Sequence, residues 1–189
     1  SDRVGLTGFF AHRDAEQMML ARREWYAEHG VELHVGDRAC AIDRQRRVIR
    51  SDKGQEIQYD YAILATGSVP FVPLVQGIQL RGAFVYRTIE DLQHIIEYAK
   101  HSKSCAVLGG GLLGLEAAKA AFDLGLETTV LEHSARLMPR QLDEIGSRML
   151  RDKIESLGVK VLLRRETKSV EGNGHVERIH FNDGTALDC

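Results

Sequence analysis

Cys105-Ala-Val-Leu-Gly-Gly-Gly-Leu-Leu-Gly114 is the stretch that decides the fold. A short apolar run able to form a strand leads directly into Gly109-Gly110-Gly111-Leu112-Leu113-Gly114, a G-x-G-x-x-G at the start of a helix. Gly109 permits a tight turn, Gly111 lets the main chain approach a pyrophosphate, and Gly114 lets helix and strand pack closely. The free N–H groups of the first helical turn, aided by the helix dipole, favour an anion there. The motif alone is weak, so its surroundings have to carry the reading.

Downstream, the hydrophobic period alternates. A strand is expected over Cys105–Leu108, a helix over Leu112–Leu124 stopped by Gly125, and a strand over Thr128–Leu131. A helix over Gln141–Leu157 stopped by Gly158 and a strand over Val159–Leu163 follow. This βαβαβ order implies a parallel sheet with helical crossovers, an α/β Rossmann-type fold. The strand after the glycine loop ends at Glu132, 18 residues beyond Gly114. That is the place for a carboxylate facing the ribose of an adenosine. An acid there repels a 2′-phosphate, which favours NAD(H) over NADP(H). Arg136 is a candidate for the adenosine side, and with His133 it keeps NADP(H) open. Glu116, read as first-turn, either faces a nicotinamide or complements the helix N-terminus. Residues 168–188 differ: Gly172-Asn-Gly174 and Asn182-Asp-Gly184 are turn signals between short strands, an antiparallel β-meander.

Upstream, Thr88 with Asp91 three residues on caps a helix over 89–101. The segment 68–82 holds Pro70, Pro73, Gly77 and Gly82 and reads as a connector, with a domain boundary near residue 80. Before it come a helix over 14–29 ended by Gly30, with Met18, Met19 and Trp25 expected in the core. Strands are expected at Val31–Val35, Ala39–Ile42 and Arg47–Ile49, with a hairpin at Asp52-Lys-Gly54. Tyr61-Ala-Ile-Leu-Ala65 reads as a buried strand ending at Thr66-Gly67.

A net charge of −2 gives no general attraction to nucleic acid. No apolar run reaches the length of a membrane span and no secretory leader is expected. Cys40, Cys105 and Cys189 are far apart in sequence, which excludes a short-loop dithiol or zinc knuckle and suits a reducing, cytoplasmic setting. The histidine pairs 29/34 and 175/180 lack convergent metal spacing, and Arg44-Gln-Arg-Arg47 reads as a solvated turn. The start at Ser1-Asp2 hints at a piece of something longer.

Ala65-Thr-Gly-Ser68 with Pro70, about 40 residues ahead of the glycine loop, resembles the two-dinucleotide-domain flavoproteins of the pyridine nucleotide-disulfide oxidoreductase superfamily. Within it the chain looks most like the family of assimilatory NAD(P)H nitrite reductase large subunits. The strings that carry this are Glu24-Trp-Tyr-Ala-Glu-His-Gly30, Tyr59-Asp-Tyr-Ala-Ile-Leu-Ala-Thr-Gly67, Val85-Tyr-Arg-Thr-Ile-Glu-Asp-Leu92, Gly109-Gly-Gly-Leu-Leu-Gly-Leu-Glu-Ala-Ala118, Arg136-Leu-Met138 and Gln141-Leu-Asp143. The resemblance implies an internal fragment. Residues 1–80 would be part of an FAD-binding domain, and 81–189 an NAD(P)-binding Rossmann domain cut short at its C-terminal end. It further implies that Ala39, Ala65, Thr66 and Gly67 line FAD in the parent protein, that Glu116 lies near the nicotinamide, and that Arg3 matches a basic residue near the flavin. The first glycine motif of the family is absent, so the fragment alone is expected to bind FAD poorly and to be inactive. Sirohaem and a 4Fe-4S cluster are expected outside it. In such flavoproteins NADH reduces FAD, here en route to nitrite. The alternatives are a flavin reductase for rubredoxin, ferredoxin or oxygen, and a non-catalytic nucleotide-binding module. A sheet left with an exposed edge invites self-association, so some homodimer or a compensating rearrangement is expected.

Overall fold

The computed structural model describes residues 6–12, 14, 16 and 19–189. Arg3 and Met18 lie outside the described residues. The chain divides into two compact units, one of residues 1–18 with 70–189, the other of residues 19–69.

In the larger unit α1 (Phe9–His12) is followed, after the other unit, by α3 (Ile89–Ala99), β4 (Ser104–Leu108), α4 (Leu112–Asp123), β5 (Glu127–Glu132), α5 (Glu144–Ser156) and β6 (Lys160–Leu163). Strands β4, β5 and β6 pair in parallel, in that order, with Val107 opposite Val130 and Val130 opposite Val161. β4 and β5 are each followed by a helix that returns the chain to the same end of the sheet, as the alternating period implies. β5 is the middle strand and is buried from Thr128 to Glu132. Its side chains alternate between two cores. Val130 packs with Ala118, Leu137, Val159 and Val161 on the helical side. Leu131 packs with Val170, Ile179 and Phe181 on the other.

That second layer is the meander β7 (Thr167–Glu171), β8 (Arg178–Phe181) and β9 (Ala186–Asp188), antiparallel throughout. The expected α/β fold with an attached meander is therefore present. The connector belongs with it. Gln76 bridges Ser169 and Arg81 bridges His175, while Val75, Ile78 and Leu80 pack on the core beneath the meander. The compact units accordingly divide between Val69 and Pro70, upstream of the boundary expected near residue 80. On α3, Thr88 and Asp91 form the reciprocal capping box that the spacing predicts, with distances of 2.8 and 3.2 Å. Leu92 and Ile96 bury the inner face of α3 against Leu6 and Phe9.

The smaller unit is built on α2 (Arg23–Glu28) and an antiparallel sheet of β1 (Ala39–Asp43), β2 (Val48–Ser51) and β3 (Glu56–Gln58). The β2–β3 hairpin turns at Asp52–Gly54 as read, with Gly54 at φ +81°. Three expectations fail here. The helix over 14–29 is confined, among the described residues, to Arg23–Glu28, and Trp25 is half exposed, stacked on His29 rather than buried in a core. Val31–Val35 forms no strand, and Val31, Leu33 and Val35 face solvent. Tyr61–Ala65 is extended coil, with Tyr61 94% and Ile63 93% exposed. A strand exists only where a neighbour takes its N–H and C=O groups, and no strand among the described residues pairs with either run.

Candidate functional site

The carboxyl ends of β4 and β5 meet at the glycine loop. Gly109 sits at φ +118°, which only glycine adopts cheaply, and its N–H donates to the Leu131 carbonyl at 2.8 Å. A Cβ on Gly114 would fall inside the Gly109 carbonyl, so the helix closes on the turn only because Gly114 has none. Gly110 is packed from below, where a Cβ would come within 2.5 Å of Leu137 Cδ2 and 3.1 Å of Glu132. Gly111 is different. Its φ of −84° suits any residue, and a Cβ there would meet nothing within 4 Å. The interior of the chain gives no reason for glycine at 111. Open space over the end of a helix is the reason that remains.

Gly111 is the N-cap of α4 and offers no side-chain cap. The first helical N–H with an intrahelical partner is that of Leu115, bonded to Gly111 O at 3.0 Å. The amides of Leu112, Leu113 and Gly114 therefore stand at the end of a three-turn helix, and the side chains of Leu112 and Leu113 are exposed. Glu116 is the fifth residue of α4, in its second turn rather than the first, and is half-buried.

Glu132 ends β5 and turns its carboxylate into the loop. Oε2 accepts from Gly110 N–H at 2.6 Å, and Oε1 accepts from Ser134 N–H at 2.7 Å. His133 Nδ1 lies 3.0 Å from Oε1, and the Glu132 side chain is 5% exposed. Burial alone raises this carboxyl. The amides of Ser134 and Gly110, the Ser134 hydroxyl and the His133 ring outweigh it, so Glu132 titrates below the ordinary glutamate range. Beyond it, Arg136 Nη2 donates to the Pro139 carbonyl at 3.2 Å, and its Nε is buried without a hydrogen-bond partner. Leu137, fully buried, supports Gly110, and Met138 N–H donates to Gly110 O at 3.0 Å. Met138 adopts φ +45° to do so. The support from Leu137 and Met138 was not read from the sequence. Its one visible signal is the adjacent pair of large apolar residues between Arg136 and Pro139. At the neighbouring strand end, Arg165 N–H donates to Glu132 O and Arg164 N–H to Ser134 O.

The geometry thus brings Gly109, Gly110, Gly111, Leu112, Leu113, Gly114 and Glu132 together, with Arg136 on the loop that follows. An uncapped helix end, an open face at Gly111 and an unpaired buried guanidinium nitrogen fit an elongated anionic ligand such as a dinucleotide. The residues expected near FAD fall in the smaller unit. Ala39 is in β1, paired with Ser51, and Ala65, Thr66 and Gly67 lie in exposed coil, with Gly67 at φ +70°. Among the described residues no strand pairs with 61–65, so the turn at Thr66–Gly67 follows coil rather than the expected strand.

Elsewhere chemistry is sparse. Burial, together with Cys189, pushes the Cys105 thiol up to about 11, so it is inert as a nucleophile at neutral pH. Among the described residues no group of three or more His, Cys, Asp or Glu could hold a metal ion. No helix among them is long and apolar enough to cross a membrane.

The family model described as pyridine nucleotide-disulphide oxidoreductase matches residues 6–189. The chain is 47% identical over 189 residues to the nitrite reductase (NADH) large subunit of Escherichia coli (strain K12), covering 99% of this chain and 22% of that protein. It is 46% identical over 186 residues to the NAD(P)H nitrite reductase large subunit of Klebsiella oxytoca, covering 98% of this chain and 19% of that protein. Among solved structures it is similar to a ferredoxin reductase from Rhodopseudomonas palustris. The TM-score is 0.93 at 26% identity, over 99% of this chain and 47% of that one. The chain thus spans about a fifth of the length of these two nitrite reductase relatives.

Proposed function

The chain belongs to the pyridine nucleotide-disulphide oxidoreductase family, and on that footing we propose that it is the NAD(P)H-binding part, with a section of the flavin-binding part, of a longer oxidoreductase that passes hydride from NADH to FAD for nitrite reduction. The observation that carries the binding step is Gly111, a glycine with no internal reason to be one, over the uncapped end of α4. The amides at the start of α4 receive the pyrophosphate and Gly111 admits it. Glu132 keeps negative charge at the adenosine end, which disfavours a 2′-phosphate and makes NADH the preferred donor. Arg136 flanks that end. Glu116, one turn into α4, is assigned to the nicotinamide side. FAD, when bound by the longer protein, accepts the hydride as a two-electron carrier. Ala39, Ala65, Thr66 and Gly67 are this chain's share of its surroundings. Sirohaem and the 4Fe-4S cluster belong to other parts of the protein, and the whole is placed in the cytoplasm. Among the described residues β4 has a neighbouring strand on one side only, so pairing of two copies along it completes the proposal, with light scattering as its test.

Titration of NADH into the wild-type protein and into Gly111→Val tests the site. A branched side chain at 111 occupies the space over the helix end, and binding is expected to fall below detection. Equal affinity in the two proteins would sink this assignment. The likeness to the Rhodopseudomonas palustris ferredoxin reductase favours a second reading, in which the electrons go to a ferredoxin, a rubredoxin or oxygen. Steady-state assays of the full-length protein with nitrite and with each of these acceptors decide between the two.

A further inference from the structure

Gly110 and Gly111 share one peptide unit, and its two polar groups have different fates. The Gly110 carbonyl accepts from Met138 N–H at 3.0 Å. Among the described residues nothing accepts from Gly111 N–H. The peptide is trans and planar, so its C=O and N–H point in opposite directions. Fixing the carbonyl on Met138 therefore turns the Gly111 N–H away from the 136–138 turn. Gly111 borders open space, since a Cβ there would meet nothing within 4 Å, and it stands beside the free amides that begin α4. Met138 is held in the conformation this requires. Its φ is +45°, a left-handed turn that a residue with a side chain adopts at a cost. Three bonds keep it there: its N–H to Gly110 O, and its carbonyl accepting from the N–H groups of Gln141 and Leu142, each at 3.0 Å. Leu137, fully buried in the core with Val130 and Ala118, fastens the turn under Gly110. Strain kept in place this way clusters at ligand-binding sites.

We propose that Met138 is a positioning residue: through its left-handed turn and its bond to the Gly110 carbonyl it aims the Gly111 N–H outward, as a donor to the diphosphate of the ligand. The inference rests on the dinucleotide reading of the site. What position 138 supplies is a conformation and an N–H group rather than a particular side chain. Without that bond the shared peptide is free to flip. The Gly110 carbonyl oxygen, with its partial negative charge, would then face the phosphates and repel what the N–H attracts. Glu132 still holds the Gly110 N–H in that case, so the adenosine end of the site keeps its place.

The test compares ADP-ribose, which carries the diphosphate, with adenosine, which lacks it. Each is titrated by calorimetry into the full-length flavoprotein as wild type, Met138→Val and Met138→Gly. Valine is branched at Cβ and resists a positive φ, whereas glycine accepts one. Met138→Val is expected to weaken ADP-ribose about tenfold or more, as for one lost hydrogen bond to a charged group. Adenosine is expected to bind as before, so the ratio of the two affinities falls, which general damage to the site would not produce. Met138→Gly restores the ratio. Should Met138→Val fail to fold, the α-hydroxy acid analogue of methionine placed at 138 carries the comparison, because it keeps the side chain and puts an ester oxygen where the N–H was. An equal loss for ADP-ribose and adenosine in the valine or ester variant, or no loss for either, overturns the proposal and leaves the dinucleotide reading intact. So does a Met138→Gly protein as impaired as Met138→Val. A wild type that binds neither ADP-ribose nor NADH overturns both.

Discussion

Gly109, Gly111 and Gly114 answer three different needs, and single substitutions separate them. Gly111→Ser is the most informative. Serine is at least as good an N-cap as glycine, so the variant should be as stable as wild type or more so by a few tenths of a kcal/mol in urea unfolding. Its hydroxyl would bond the same amides that receive the ligand, so NADH affinity should fall. A variant that loses both or keeps both would contradict the site. Glu132 leaves its mark in acid. Its folded-state carboxyl titrates below the ordinary value of 4.5, so its stabilising contribution is complete above that value and disappears as the pH falls through the lower one. Wild type should therefore lose stability in that window, and Glu132→Gln should lack that part of the slope when unfolding is followed across pH.

Helices and strands from 88 to 163 were legible from local punctuation, Thr88 as a cap, Gly125 and Gly158 as stops, and apolar residues at the right period, although the last helix starts at Glu144 behind an Asp143 cap rather than at Gln141. Thr88→Ala should cost about 1 kcal/mol, the usual value of a lost cap, with NADH affinity unchanged, because α3 supports the core at Leu92 and not the glycine loop. Calorimetry and an NADH titration check the two halves. The runs 31–35 and 61–65 have strand composition too, yet neither is a strand. A helix bonds to itself, whereas a strand depends on a neighbour, and the apolar pattern of Tyr61–Ala65 cannot say whether one is present. The site shows the same split. Gly109–Gly114 and Glu132 were readable from spacing, whereas the inward turn of the carboxylate and the hold of Leu137 and Met138 on Gly110 are long-range contacts that leave no local trace.

At the scale of the molecule, the smaller unit and the segment that follows it carry much exposed apolar surface. Tyr61, Leu64 and Phe71 all face solvent in coil. Brief chymotrypsin treatment of this 189-residue chain should therefore cut first after these residues, while Phe122 and Phe181, held in α4 and β8, resist. Mass spectrometry of the first fragments reads the outcome, and early cuts in α4 or β8 would contradict the packing described. The parallel sheet with its meander is the fold proper to dinucleotide binding, and everything functional assigned here lies within it except the four flavin-side residues.

Residues 19–69 interrupt the larger unit, whose Leu6 and Phe9 pack on α3 and whose Gln76 and Arg81 are bridged by Ser169 and His175. On a ribosome, the short hairpins of the interrupting piece can form as soon as they emerge. The helical turn at the start of the chain must wait for α3, and the stretch around Gln76 must wait for nearly a hundred further residues to be translated. The nascent polypeptide therefore spends that interval with apolar faces uncovered, which is the period when a chaperone would be needed.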